Sequence, residues 1–154
     1  MNHFTHRFSL ICEKGIIDSG TNNISLINIM EELSVAVKKS DYQQLNSKDV
    51  DKEEFVDIPF FFEIVSFWEN NGHKEKLDVR IDLLAPSGKV LNQFYPKFKF
   101  DSQNDKLRTT IKVNGVKINK ESGVYNYIIL YRNKESEKYK IVATIPLVIN
   151  FKVE

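Results

Sequence analysis

Apolar and polar residues alternate with a period of two along most of this chain. Leu77, Val79, Ile81 and Leu83 alternate with Asp78, Arg80 and Asp82. Leu107, Thr109, Ile111 and Val113 alternate in the same way with Arg108, Thr110 and Lys112. Successive side chains of a strand point to opposite faces, so each run predicts a strand with one buried and one wet face. Near the start, Phe8, Leu10 and Cys12 alternate with Arg7, Ser9 and Glu13, and Ile11 interrupts the polar set. A turn cluster at residues 18–23 precedes a strand over 24–29, and the alternation of Leu33, Val35 and Val37 extends it into one long, bent strand. In residues 90–100, Phe94, Phe98 and Phe100 fall on one face and Lys97 and Lys99 on the other. Pro96 cannot donate to a ladder, so it predicts an edge or a bulge there. Asn114-Gly115 is a turn signal.

Two segments depart from simple alternation. Over residues 58–68, Phe60, Phe62 and Ile64 point one way, while Phe61, Val65 and Phe67 point the other. A strand apolar on both faces needs cover on both, from a central position plus a loop or from another subunit. Residues 123–151 read as a long β-hairpin around a polar turn at 132–138. Ile141, Ala143, Ile145, Leu147, Ile149 and Phe151 form one stripe assigned to the core, with Pro146 marking a bulge or an edge. The opening Gly123-Val124-Tyr125 resembles the corner that starts a late strand in immunoglobulin-like sandwiches, with the Tyr125 hydroxyl tied to nearby backbone.

About eight strands separated by turn signals, with no convincing helix, predict an all-β fold: an antiparallel immunoglobulin-like β-sandwich. Residues 38–54 are polar and aperiodic and read as a long loop after the second strand. At 154 residues the chain is expected to be a single domain, 1–154, large enough to bury a core. Aromatics make up 12%, with 11 Phe and 6 Tyr, which suits strands and excludes a disordered chain.

Charge narrows the partners. The 22 basic and 21 acidic residues leave a formal net charge of +1. Such a chain has no global field for a polyanion, so nucleic acid is not the expected partner. Lys97, Lys99, Arg108 and Lys112 are candidates to share a sheet face with Tyr95, an arrangement that decorates an exposed strand and discourages edge pairing. A single cysteine, Cys12, excludes an internal disulfide. No secretion signature and no run near the roughly 20 apolar residues of a membrane helix are found. The expected location is cytoplasmic.

Candidate chemistry is sparse. His3 and His6 would project to opposite faces of a strand, and His73 sits in a turn, so none is read as a metal ligand. Cys12 lies on the apolar side of its strand and reads as a buried, inert thiol. Acidic residues cluster at Asp49, Asp51, Glu53, Glu54 and Asp57, and again at Asp101 and Asp105. They lack the spacing of a calcium loop and read as solvated. Gly88-Lys89 lacks the spacing of a phosphate loop, and Asn23-Ile24-Ser25 is a coincidental glycosylation sequon. No catalytic residue, metal or cofactor is assigned.

Residues 10–30, with Leu10-Ile-Cys-Glu-Lys-Gly-Ile-Ile-Asp18 and then Ile24-Ser-Leu-Ile-Asn-Ile-Met30, resemble the opening of an uncharacterised bacterial family of small β-sandwich proteins. Leu83-Leu-Ala-Pro-Ser-Gly-Lys-Val90 resembles that family's central hairpin, and Gly123-Val-Tyr125 its late strand start. The family carries a domain-of-unknown-function label, so the resemblance implies an immunoglobulin-like fold in a bacterial cytoplasm and no catalytic residues. The expected function is a non-enzymatic interaction module that meets a protein partner or a second copy of itself. Phe61, Val65, Phe67, Trp68 and Tyr42 are the candidate surface. A metal- or small-ligand-binding domain using the acidic loops is the alternative, as is an accessory or immunity-type protein of a larger effector system.

Overall fold

The computed structural model describes residues 2–21, 23–39, 56–119 and 121–154. Ten strands run through them in chain order: β1 (Phe4–Ile17), β2 (Ile24–Ile29), β3 (Glu32–Val37), β4 (Val56–Asn70), β5 (Lys76–Leu84), β6 (Val90–Phe94), β7 (Lys97–Lys99), β8 (Lys106–Ile118), β9 (Gly123–Arg132) and β10 (Lys140–Val153). They form two sheets. The first has four strands in the order β2-β1-β4-β8. The second has six, in the order β3-β10-β9-β5-β6, with β7 also paired to β5. Neighbours are antiparallel except β3 and β10, which run parallel. The all-β expectation holds, and the second sheet is mixed rather than wholly antiparallel. Among the described residues no helix is long and apolar enough to cross a membrane.

The count of ten rather than eight has two causes. The expected long strand over 24–37 is broken where the chain changes sheets. The Met30 amide still donates to the Ile11 carbonyl at 2.9 Å, while the Glu31 carbonyl already accepts from the Val148 amide at 2.8 Å. The second break is at Tyr95-Pro96, which splits the expected 90–100 strand into β6 and β7 at the sheet edge, as a proline without an amide proton requires. The described residues of the expected 38–54 loop are Lys38 and Lys39; residues 40–54 lie outside the described part.

Asn114-Gly115 is not a turn. β8 continues through it, and the register against β4 shifts between Ile58 and Phe61. Gly115 takes a left-handed φ of 85°, which lets one strand absorb an extra residue as a bulge. A second correction concerns the start of the stripe in β10. The register against β9 shifts between Ile141 and Ala143, so Ile141 pairs with Leu130 and is 65% exposed. From Ile145 onward the stripe is core, as its alternation requires.

The core lies between the sheets and is bound by aromatic side chains. Phe62 and Trp68 of β4 meet Tyr127 and Tyr131 of β9, with ring centroids 5.8 and 5.9 Å apart, and Phe4 meets Tyr131 edge-on at 5.9 Å. Buried aromatic pairs of this geometry add roughly 0.5–1.5 kcal/mol each beyond the area they bury. Tyr125 is fully buried, and its hydroxyl donates to the Glu121 carbonyl at 2.8 Å and lies 2.7 Å from Asn119 Oδ1. The corner expected from Gly123-Val-Tyr125 is therefore formed.

Candidate interaction face on the first sheet

Strand alternation sends half of the first sheet's side chains away from the core. Reading across β1, β4 and β8, the outward rows are Phe8, Phe67 and Arg108, then Leu10, Val65 and Thr110, then Cys12, Glu63 and Lys112. Ile29 of β2 extends the last row and Phe61, opposite Asn114, lies beyond it. Phe8 and Phe67 stack with centroids 4.2 Å apart, yet Phe8 remains 47% exposed. Phe61 is 64% and Ile29 60% exposed. After Cys12, β1 leaves β4, and the Gly15 amide reaches back to donate to Glu63 Oε2 at 2.7 Å. Cys12 and Val65 are fully buried in this face. Burial, and then the Glu63 carboxylate, push the Cys12 thiol above its ordinary value, so it stays protonated.

The outward face of the second sheet differs. Asp78, Arg80 and Asp82 project from β5 as their alternation predicts, and their charges are matched. Arg132 donates to Asp78 at 2.6 Å, Arg80 to Asp82 at 2.8 Å and Gln93 to Asp82 at 3.1 Å. Tyr139 donates to Asp78 at 2.5 Å and lies between the two guanidinium groups, 5.2 and 4.5 Å from its ring. The β5 charges of that face are paired within it, with Arg80 Nε left without a partner among the described residues, while the first sheet's face exposes Phe8, Phe61 and Ile29.

Of the five surface residues expected from sequence, Phe61, Val65 and Phe67 share this outward face, with Val65 buried in it. Trp68 points the other way, is 2% exposed and belongs to the core. Alternation from Phe62 and Ile64 places it there. Tyr42 lies outside the described residues. So do Asp49, Asp51, Glu53 and Glu54 of the first acidic cluster. Asp101 and Asp105 are exposed, and Asp101 accepts the Gln103 amide in its own turn. Among the described residues no group of three or more His, Cys, Asp or Glu is placed to hold a metal. The expected basic face is divided: Arg108 and Lys112 project from β8 in the first sheet, Lys97 and Lys99 from β7 in the second.

One polar constellation was hidden from sequence reading. His6 Nε2 lies 2.7 Å from Ser9 Oγ, which donates to buried Ser66 at 2.6 Å. Strict alternation puts positions 6 and 9 on opposite faces. The register shift between His6 and Phe8 brings them to one face, where His6 also meets Trp68 edge-on at 4.8 Å. Burial holds the His6 imidazole below the ordinary histidine value. The arrangement satisfies a buried hydroxyl, and the bulge that creates it leaves no pattern in the sequence.

No protein-family model matches the chain, and no curated protein matches it.

Proposed function

We propose that this chain is a non-enzymatic interaction module of immunoglobulin-like architecture, and that it pairs with a second copy of itself through the outward face of the first sheet. The parallel β3–β10 pairing after a change of sheet and the tyrosine corner on β9 support the immunoglobulin-like reading. The observation that carries the function is the exposed apolar side chains of this face, Phe8 stacked on Phe67 at one end and Phe61 and Ile29 toward the other. Exposed apolar clusters of this kind mark interaction sites. Charges at its margin oppose one another within the face, Glu63 across from Lys112 and Arg7 paired with Glu69. A copy of the same face is therefore not repelled. Four strands spaced about 4.8 Å apart, over ten residues of β4, offer on the order of 600 Å², close to the roughly 800 Å² per partner of a standard interface. A cytoplasmic setting accords with the single reduced cysteine.

Light scattering across micromolar concentrations tests the proposal. The expected result is a dimer that Phe61→Lys or Phe67→Lys converts to a folded monomer. A strict monomer that Phe61→Lys leaves unchanged rejects self-association through this face.

A further inference from the structure

A second site stands apart from this face, at one end of the sandwich. The residues before β1, the turn between β4 and β5, the loop between β7 and β8, and the turn between β9 and β10 converge there around a cleft of about 530 Å³. That lies within the roughly 300–1,000 Å³ of small-ligand sites. Sandwich domains of immunoglobulin type carry binding loops at one such end.

The lining is cationic. Lys74, Lys76 and Lys134 border the cleft with His3 and His73, and Glu75 is the one carboxylate among the lining residues. Asp105 approaches His73 to 3.9 Å. Among the described residues none of the three lysines is held in an ion pair. Lys76 also lies directly opposite Lys99 in the β5–β7 register, and like charges placed across a strand pair destabilise it.

The frame beneath these side chains is built. Buried Asn70 donates from Nδ2 to the Lys74 carbonyl and accepts the Lys74 amide at Oδ1, both at 2.9 Å, and its own amide donates to the Asp105 carbonyl at 2.8 Å. Asn133 Oδ1 accepts the His3 amide at 2.9 Å and the Tyr131 hydroxyl. Gly72 donates to the His3 carbonyl at 2.9 Å. His73 holds a φ of 47°, a conformation that non-glycine residues adopt mainly where surrounding structure imposes it, often at functional sites.

We propose that this cleft binds the phosphate group of a small phosphorylated molecule. Lysine ammonium groups are compact point charges with three donors each, able to approach a tetrahedral dianion from several sides. Isothermal titration at constant ionic strength tests this with inorganic phosphate, glucose 6-phosphate, citrate and sodium chloride. The expected result is saturable binding of a phosphate-bearing probe, weakened on the order of tenfold by Lys134→Ala or Lys76→Ala. Binding of both phosphates assigns recognition to the phosphate group alone, and binding of glucose 6-phosphate alone adds recognition of the organic body. Phe61→Lys leaves this binding unchanged, which separates the cleft from the first sheet's face. Amide shifts in a ¹H–¹⁵N spectrum centre on Gly72, Lys74 and Asn133. Citrate binding as tightly as phosphate, no saturation beyond the chloride control, or full affinity in both lysine variants overturns the proposal.

Discussion

Tyr125 shows what one residue contributes here. Its ring fills the core from β9 while its hydroxyl closes the preceding loop onto the Glu121 carbonyl. Tyr125→Phe keeps the ring and strands the acceptor, so a loss of about 1–2 kcal/mol is expected in urea unfolding. A change under about 0.3 kcal/mol would contradict the corner's role. Two residues earlier, Gly123 has a φ of 148°, and a Cβ there would stand 3.0 Å from the Pro86 side chain. The sequence announces this corner because its partners are four to six residues apart. It does not announce Tyr139, whose partner Asp78 is 61 residues away. The tyrosines also set a pH limit. Burial raises the Tyr127 phenol above its ordinary value and pushes Tyr131 up to about 12; burial, then Asp78, push Tyr139 to about 12. In the unfolded chain these phenols ionise near 10.0. Between the two values the folded state holds more protons, so the stability present below pH 10 is lost as pH rises toward 12. Urea midpoints at pH 8, 10 and 11 are expected to fall in that order, and a flat series would remove the linkage.

At the scale of elements, alternation identified strands reliably but missed every point where the register shifts. β4 was legible on both faces because Phe60, Phe62 and Ile64 separate cleanly from Phe61, Val65 and Phe67. β10 was legible from Ile145 onward. Ile141 fits the same stripe by spacing and lies outside it in space, because a shift inserts a residue before Ala143. A bulge is a backbone event of one residue and need not change residue type, so period-two reasoning runs through it. The same blindness hid the His6–Ser9–Ser66 chain and turned the Gly115 bulge into an expected turn. The β10 assignment can be checked directly. Ile145→Ala is expected to cost about 2–4 kcal/mol by leaving a cavity, while Ile141→Ser changes stability by less than about 0.5 kcal/mol. Equal costs in thermal unfolding would mean that the stripe is continuous after all.

The whole molecule joins a face of paired charges on the second sheet, exposed apolar side chains on the first and several guarded edges. Two-sheet architecture was legible from sequence. The cleft was not, because it assembles positions 3, 73–76 and 134, which share no local pattern. Edge strands expose unpaired backbone groups that invite other chains, and several uncovered edges here carry a deterrent. β8 has Lys106 and Lys112; β7 has Lys97 and Lys99 after Pro96; the uncovered first half of β1 has Arg7 and a register shift. β10 is the informative case. β3 covers it only from Val148, so Pro146 sits where its outer side is open. Amides alternate sides along a strand, and the Val148 amide points to Glu31 on the β3 side. Position 146 points the same way, so proline removes a donor from the open edge and none from the β9 ladder, which accounts for its place opposite Asn126. Pro146→Val restores that donor and leaves the folded ladder intact. The variant is expected to melt within a few degrees of the parent yet to aggregate faster at high concentration, read as a growing scattered intensity over hours. An unchanged aggregation rate would show that the proline does not guard this edge. Because that association runs through backbone rather than through Phe61, it should persist in a Phe61→Lys background, which separates edge pairing from the proposed dimer.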